Sequence, residues 1–117
     1  MSTTVIDTKT EKRTFKAMLL KEHIDTTIVL EQLANGAFGL SYNCHFYGVK
    51  AGKQSGGPFE LTGNVRSAVQ EHPTVILVVS NFQQTAQHIR MDVAITIDFP
   101  IVGTKTIYNQ TLEGQYQ

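Results

Sequence analysis

The chain has 117 residues, 41% of them hydrophobic, with ten basic and ten acidic side chains and a single cysteine. That is enough apolar material for one packed domain. No run approaches the roughly 20 residues of a membrane helix, and the cancelled charge disfavours a phosphate-backbone binder.

Residues 1–12 are mostly polar, yet "TTVIDT" carries β-branched Thr3, Thr4, Val5, Ile6 and Thr8. This segment is expected to add as a strand to an open sheet edge, its own or that of a second copy. It lacks the apolar core of a secretory signal, which implies the cytosol or export without a cleaved signal. Five of the ten basic residues fall between Lys9 and Lys21, with Asp7, Glu11 and Glu22 among and beside them. Mixed charge of this kind reads as a solvated segment.

Residues 13–117 read as a single β domain. "RTFKAMLLKEHI" fits either a helix or a strand, because Phe15, Met18, Leu19 and Leu20 match both periods. "TTIVLEQLA" begins with β-branched residues and runs into Asn35-Gly36, a pair suited to a type I′ turn. Thr27 to Ala34 is therefore expected to form a hairpin with Ala37 to Tyr47. In that second arm Phe38, Leu40, Tyr42, Cys44 and Phe46 alternate with Ser41, Asn43, His45 and Tyr47, the period of a half-buried strand.

"GVKAGKQSGGP", residues 48–58, has the lysines and glycines of a phosphate loop but not its spacing. Three residues separate Gly48 from Gly52, Gln54 follows Lys53, and no helix follows. It reads as a flexible loop. "PFELTGNVR" resumes strand alternation, with a bend expected at Gly63. "TVILVVSNF" suits a strand covered on both faces. "HIRMDVAITIDF" alternates from Ile89 to Phe99 with only Ala94 breaking the polar face, and "TKTIYNQTLEGQY" reads as the last strand. Seven strands with short connections imply an all-β antiparallel meander, closed as a small barrel or folded as a sandwich.

Chemistry-bearing residues are scattered. His23, His45, His72 and His88 show no compact metal-ligand spacing, although His45 and His88 are placed to meet across strands. Cys44 lies among apolar neighbours, forms no internal disulfide and reads as a small hydrophobe. Asp92 and Asp98 share a strand face at a separation of about 20 Å. No cofactor is implied, and no nucleophile–base constellation emerges. "NQT" at Asn109 matches the glycosylation pattern by chance.

"TTIVLEQLANGAFGLSY", "PFELTGNV" and "HPTVILVVSNF" together resemble successive strands of the avidin and streptavidin family, over residues 27–82. The resemblance implies a meander topology. It also sets Tyr42 where the family contacts the biotin ureido oxygen, and Cys44 where the family has serine or threonine. The chain has no tryptophan, whereas the family packs biotin between tryptophans, so biotin binding is not expected.

The expected function is a non-enzymatic binding or self-assembly module, as a homo-oligomer, with neither nucleic acid nor membrane as partner. A small-molecule carrier would hold its ligand near Tyr42, Cys44 and Phe46, in a cavity lined also by Phe59 and Ile95. A carbohydrate-binding module would instead use the outward Asn43, His45 and Tyr47, with Glu60 and Arg66.

Overall fold

A computed structural model describes residues 3–17, 20–48, 51–69, 74–99 and 103–116. Eight strands follow in chain order: β1 (Thr4–Ala17), β2 (Leu20–Gln32), β3 (Phe38–Tyr47), β4 (Ala51–Leu61), β5 (Val65–Val69), β6 (Thr74–Gln84), β7 (His88–Phe99) and β8 (Gly103–Gln115). They form two four-stranded antiparallel sheets, β1-β2-β3-β4 and β5-β6-β7-β8, here sheets A and B. The barrel alternative is thereby set aside: the sheets face each other across a shared core and do not close into one ladder. Their long strands give a body of 50 × 27 × 23 Å. Among the described residues no helix is long and apolar enough to cross a membrane.

Alternation builds the core. Ile24, Ile28, Leu30, Phe38, Leu40, Tyr42 and Phe46 of sheet A meet Val75, Leu77, Val79, Met91, Val93, Ile95 and Ile97 of sheet B, all buried. Burying these side chains is the main favourable term for the fold, at about 1.5–3 kcal/mol for each large one. Ile107 and Tyr108 both point inward because β8 shifts register opposite Ile95/Thr96, which places one extra residue in the strand.

Three expectations are corrected, and the open choice between helix and strand over residues 13–24 is decided as strand where they are described. There are eight strands, not seven. "RTFKAMLLKEHI" is not helical where it is described: it supplies the end of β1 and the start of β2, with 18–19 outside the described residues. The glycine-rich stretch is not a loop from residue 51 onward but β4, paired with β3 from Tyr47↔Ala51 to Phe38↔Leu61. Glycine and proline are tolerated there because β4 is an edge strand and shifts register between Leu40 and Tyr42, next to Gly57-Pro58. "PFELTGNVR" is consequently two strands, divided by a bend at Thr62-Gly63 that carries the chain from one sheet to the other.

The hairpin at Asn35-Gly36 forms with a different turn. The Gly36 N–H donates to the Leu33 carbonyl (2.9 Å), and the Leu33 N–H donates to the Ala37 carbonyl (2.7 Å). Only Gly36 of this turn has positive φ, 86°. This is a three-residue connection of type I followed by a left-handed glycine, not a type I′ turn. The Asn35 side chain accepts from the Ala37 N–H (3.0 Å), which explains asparagine at this place.

The amino-terminal segment is the outer part of β1, which pairs with β2 from Thr4↔Gln32 to Ala17↔Leu20 without a break at residue 12. Its other side faces β8 of the opposite sheet, and there the solvated reading is corrected. Thr8, Thr10, Lys12 and Thr14 are exposed, whereas Asp7, Lys9, Glu11 and Arg13 are turned toward the neighbouring sheet. The Glu113 N–H donates to Asp7 Oδ2 (3.0 Å), Lys9 Nζ to the Thr111 carbonyl (2.5 Å), the Asn109 N–H to Glu11 Oε1 (3.0 Å), and Arg13 Nη1 to the Thr106 carbonyl (3.2 Å). Acids take N–H groups and bases take carbonyls, in step with the alternation of donors and acceptors along a strand edge. Tyr108 adds a bond from its buried hydroxyl to the Lys9 carbonyl (3.0 Å). Gly114 lets the strands approach: a Cβ there would lie 2.5 Å from Ile6 Cγ2.

Candidate functional site

The six candidate residues of β3 divide by face. Tyr42, Cys44 and Phe46 point into the core with 3%, 0% and 1% exposure, while Asn43, His45 and Tyr47 point outward. No single site holds all six. Tyr42 stacks on Phe59 (centroids 6.2 Å apart, planes 9° apart) over Gly56, where a Cβ would come 2.8 Å from the Tyr42 ring. The Cys44 thiol is pushed up to about 11 by burial, offset in part by a hydrogen bond from Thr26 Oγ1 (3.8 Å), and is no nucleophile at neutral pH.

The outward residues belong to a larger cluster. Tyr47, 49% exposed, shares a hydrogen bond with His45 Nδ1 (2.7 Å), and the two rings lie 4.0 Å apart at 30°. His23 of β2 flanks the same tyrosine, with centroids 5.8 Å apart and planes at 50°. Thr14 Oγ1 on β1 bonds His23 Nδ1 (2.8 Å), and His23 Nε2 lies 3.3 Å from Asp25 Oδ1. Asp25 stands in register with Lys12 on one side and His45 on the other. Three adjacent strands thus position the group, and each member points outward because its neighbours Ile24, Cys44 and Phe46 fill the core.

Thr14, His23 and Asp25 follow the order hydroxyl, imidazole, carboxylate. Acyl transfer also needs donors preorganised for an oxyanion. Around Thr14 the β1–β2 ladder uses backbone groups for strand pairing, with Thr14 directly opposite His23. No three of the described His, Cys, Asp or Glu residues are arranged to hold a metal ion.

Other expected juxtapositions do not form. His45 and His88 lie on different sheets, and His88 Nε2 instead faces Glu113 at 3.6 Å. His72 lies outside the described residues. Glu60 pairs with Gly39 at the far end of β3 from Tyr47, and Arg66 lies in sheet B opposite Val78, so neither joins the Tyr47 cluster. Asp92 takes Asn81 Nδ2 and Thr111 Oγ1, both at 2.7 Å, and these bonds, Asn81 first, hold its carboxyl below the usual range. Asp98 accepts from Thr104 (3.2 Å). Both aspartates brace strands.

Sequence reasoning missed Thr14, His23 and Asp25 as partners of Tyr47. The signal was present: in "HIDTT" the polar His23, Asp25 and Thr27 alternate with Ile24 and Thr26, so one strand face carries all three. Reading the preceding segment as helix or strand hid that face. No protein-family model, curated protein or solved structure matches the chain.

Proposed function

We propose that the protein is a non-enzymatic binding module that meets its ligand through the outer face of sheet A, with Tyr47 as the ring contact. The observation that carries this reading is the half-exposed Tyr47 ring, held by His45 and flanked by His23 on a rigid three-strand floor. An aromatic ring fixed among planar polar groups favours an oligosaccharide, whose C–H faces stack on the ring while its hydroxyls bond the surrounding imidazoles and carboxylate. A carrier with its ligand between the sheets would have to displace Tyr42, Cys44 and Phe46 from a packed core, at several kcal/mol. Assembly through strand edges is countered by Lys53, Pro58 and the register shift on β4 and by the five-residue length of β5, all features that blunt an edge.

A glycan array probed with the wild-type chain and with Tyr47→Ala tests the reading. At least one glycan should bind the wild type and lose tenfold or more in the variant, with the thermal midpoint unchanged. A silent array, or a glycan bound equally by both proteins, overturns it.

A further inference from the structure

A recess lies at the end of the molecule away from Tyr47. It has a volume of about 480 Å³, is open to solvent, and is lined by Ala86, Gln87, Gln115 and Tyr116 at the β6–β7 turn and the end of β8. Its floor is fixed. The Tyr116 N–H donates to the Gln87 carbonyl (2.9 Å), the Tyr116 hydroxyl donates to the Thr85 carbonyl, and Gln84 Nε2 donates to that hydroxyl (3.3 Å). The ring also rests edge-on against Phe38, with centroids 4.8 Å apart at 79°.

We propose that this recess binds one neutral, hydroxylated ring: a single saccharide unit. The volume lies in the range of small-ligand pockets. Among the described residues that line it, only the phenol of Tyr116 is ionisable, so these residues offer neither a phosphate nor a metal cation a counter-charge. In the adjoining ladder the His88 imidazole and the Glu113 carboxylate face each other at 3.6 Å. The described walls are too polar for a purely apolar guest, since among them the Ala86 methyl and the Tyr116 ring are the apolar parts. Gln87 and Gln115 each present a carbonyl acceptor and two N–H donors, and both are exposed. Paired donors and acceptors beside a fixed aromatic ring match a pyranose, which offers adjacent hydroxyls and a C–H face. The recess lies beside Phe38, nine residues along β3 from Tyr47 and so about 30 Å away, and the inference does not rest on the Tyr47 reading.

The test follows the side-chain amide signals of Gln87 and Gln115 in nitrogen–proton correlation spectra of the full chain. Methyl α-glucoside, methyl α-galactoside, methyl α-mannoside and N-acetylglucosamine are titrated separately, with sodium sulfate as the charged probe. At least one glycoside should shift both amides with a Kd on the order of 1 mM, a common strength for an open one-ring site. The double variant Gln87→Ala/Gln115→Ala alters only exposed side chains and should weaken binding tenfold or more, while Tyr47→Ala should leave it unchanged. The proposal is overturned if no glycoside moves the two amides, if the double variant binds as the wild type does, or if sulfate produces the same shifts. Loss through Tyr47→Ala alone would support the sheet A face and sink this site.

Discussion

Along the β1/β8 side of the sandwich, Asp7, Lys9, Glu11 and Arg13 reach across and bond the backbone of the opposite sheet. Along the other side, β4 and β5 face outward with glycines, Pro58, Lys53 and a short strand, and their link is the bend at Thr62-Gly63. Both arrangements keep a strand edge from recruiting another chain. The first does so by satisfying the edge, the second only by making it a poor template. A satisfied edge contributes stability and is specific in its residues, whereas a blunted edge tolerates exchange.

Substitutions on the two sides should therefore differ in cost. The largest loss is expected for Gly114→Val, whose Cβ would meet Ile6 Cγ2 at 2.5 Å and the Ile6 carbonyl oxygen at 3.0 Å. Overpacking against backbone costs about 3 kcal/mol, read as a lower urea midpoint with unchanged slope. A stability equal to wild type would mean that β1 and β8 are not in contact.

Next comes Glu11→Ala. Burial raises the Glu11 pKa, but bonds from the Asn109 N–H, the Gln110 amide and Arg13, with the Arg13 charge, outweigh it and leave the carboxyl below its ordinary 4.5. Removing it should cost about 2 kcal/mol in the same titration, since three donors lose their charged acceptor. A depressed pKa means that the folded state binds its proton less tightly than the unfolded state. The Glu11 contribution is thus present above about 4.5 and lost as pH falls through the folded value. The gap between wild type and Glu11→Gln should narrow between about pH 6 and pH 3. A gap independent of pH would remove the carboxylate from the seam.

Tyr108→Phe deletes the bond to the Lys9 carbonyl and should cost about 1 kcal/mol in thermal unfolding. The smallest effect belongs to the blunted edge: Lys53→Ala should stay within about 0.5 kcal/mol. A loss there as large as that of Glu11→Ala would erase the distinction between the two sides.

Period two was legible wherever a strand is covered on one face by the core. "HIRMDVAITIDF" is β7, with Ile89, Met91, Val93, Ile95 and Ile97 all buried. β4 was not legible, because glycine and proline in an edge strand carry the same letters as a loop. The seam was hidden because its partners lie about a hundred residues apart. Charges of alternating sign at Asp7, Lys9, Glu11 and Arg13 look solvated until β8 is beside them. At the candidate site, the outward side of β3 could be read from alternation alone. The neighbours of Tyr47 could not, since they depend on the register that sets Asp25 opposite His45 and on the packing that brings His23 against the ring.

The seam also sets how the molecule would respond to traction. Ile6 and Gly114 lie side by side, and β1 and β8 run in opposite directions, so the start of β1 and the end of β8 lie at the same end of the body. A pull applied between those ends loads the Asp7 contact first, then Lys9, Glu11 and Arg13 in turn, as a zipper opens. The seam bonds run from side chains across to the facing backbone, so this load meets them one at a time, not all together in shear. The body should resist a solvent that attacks the whole seam at once far better than a weak force directed at its corner.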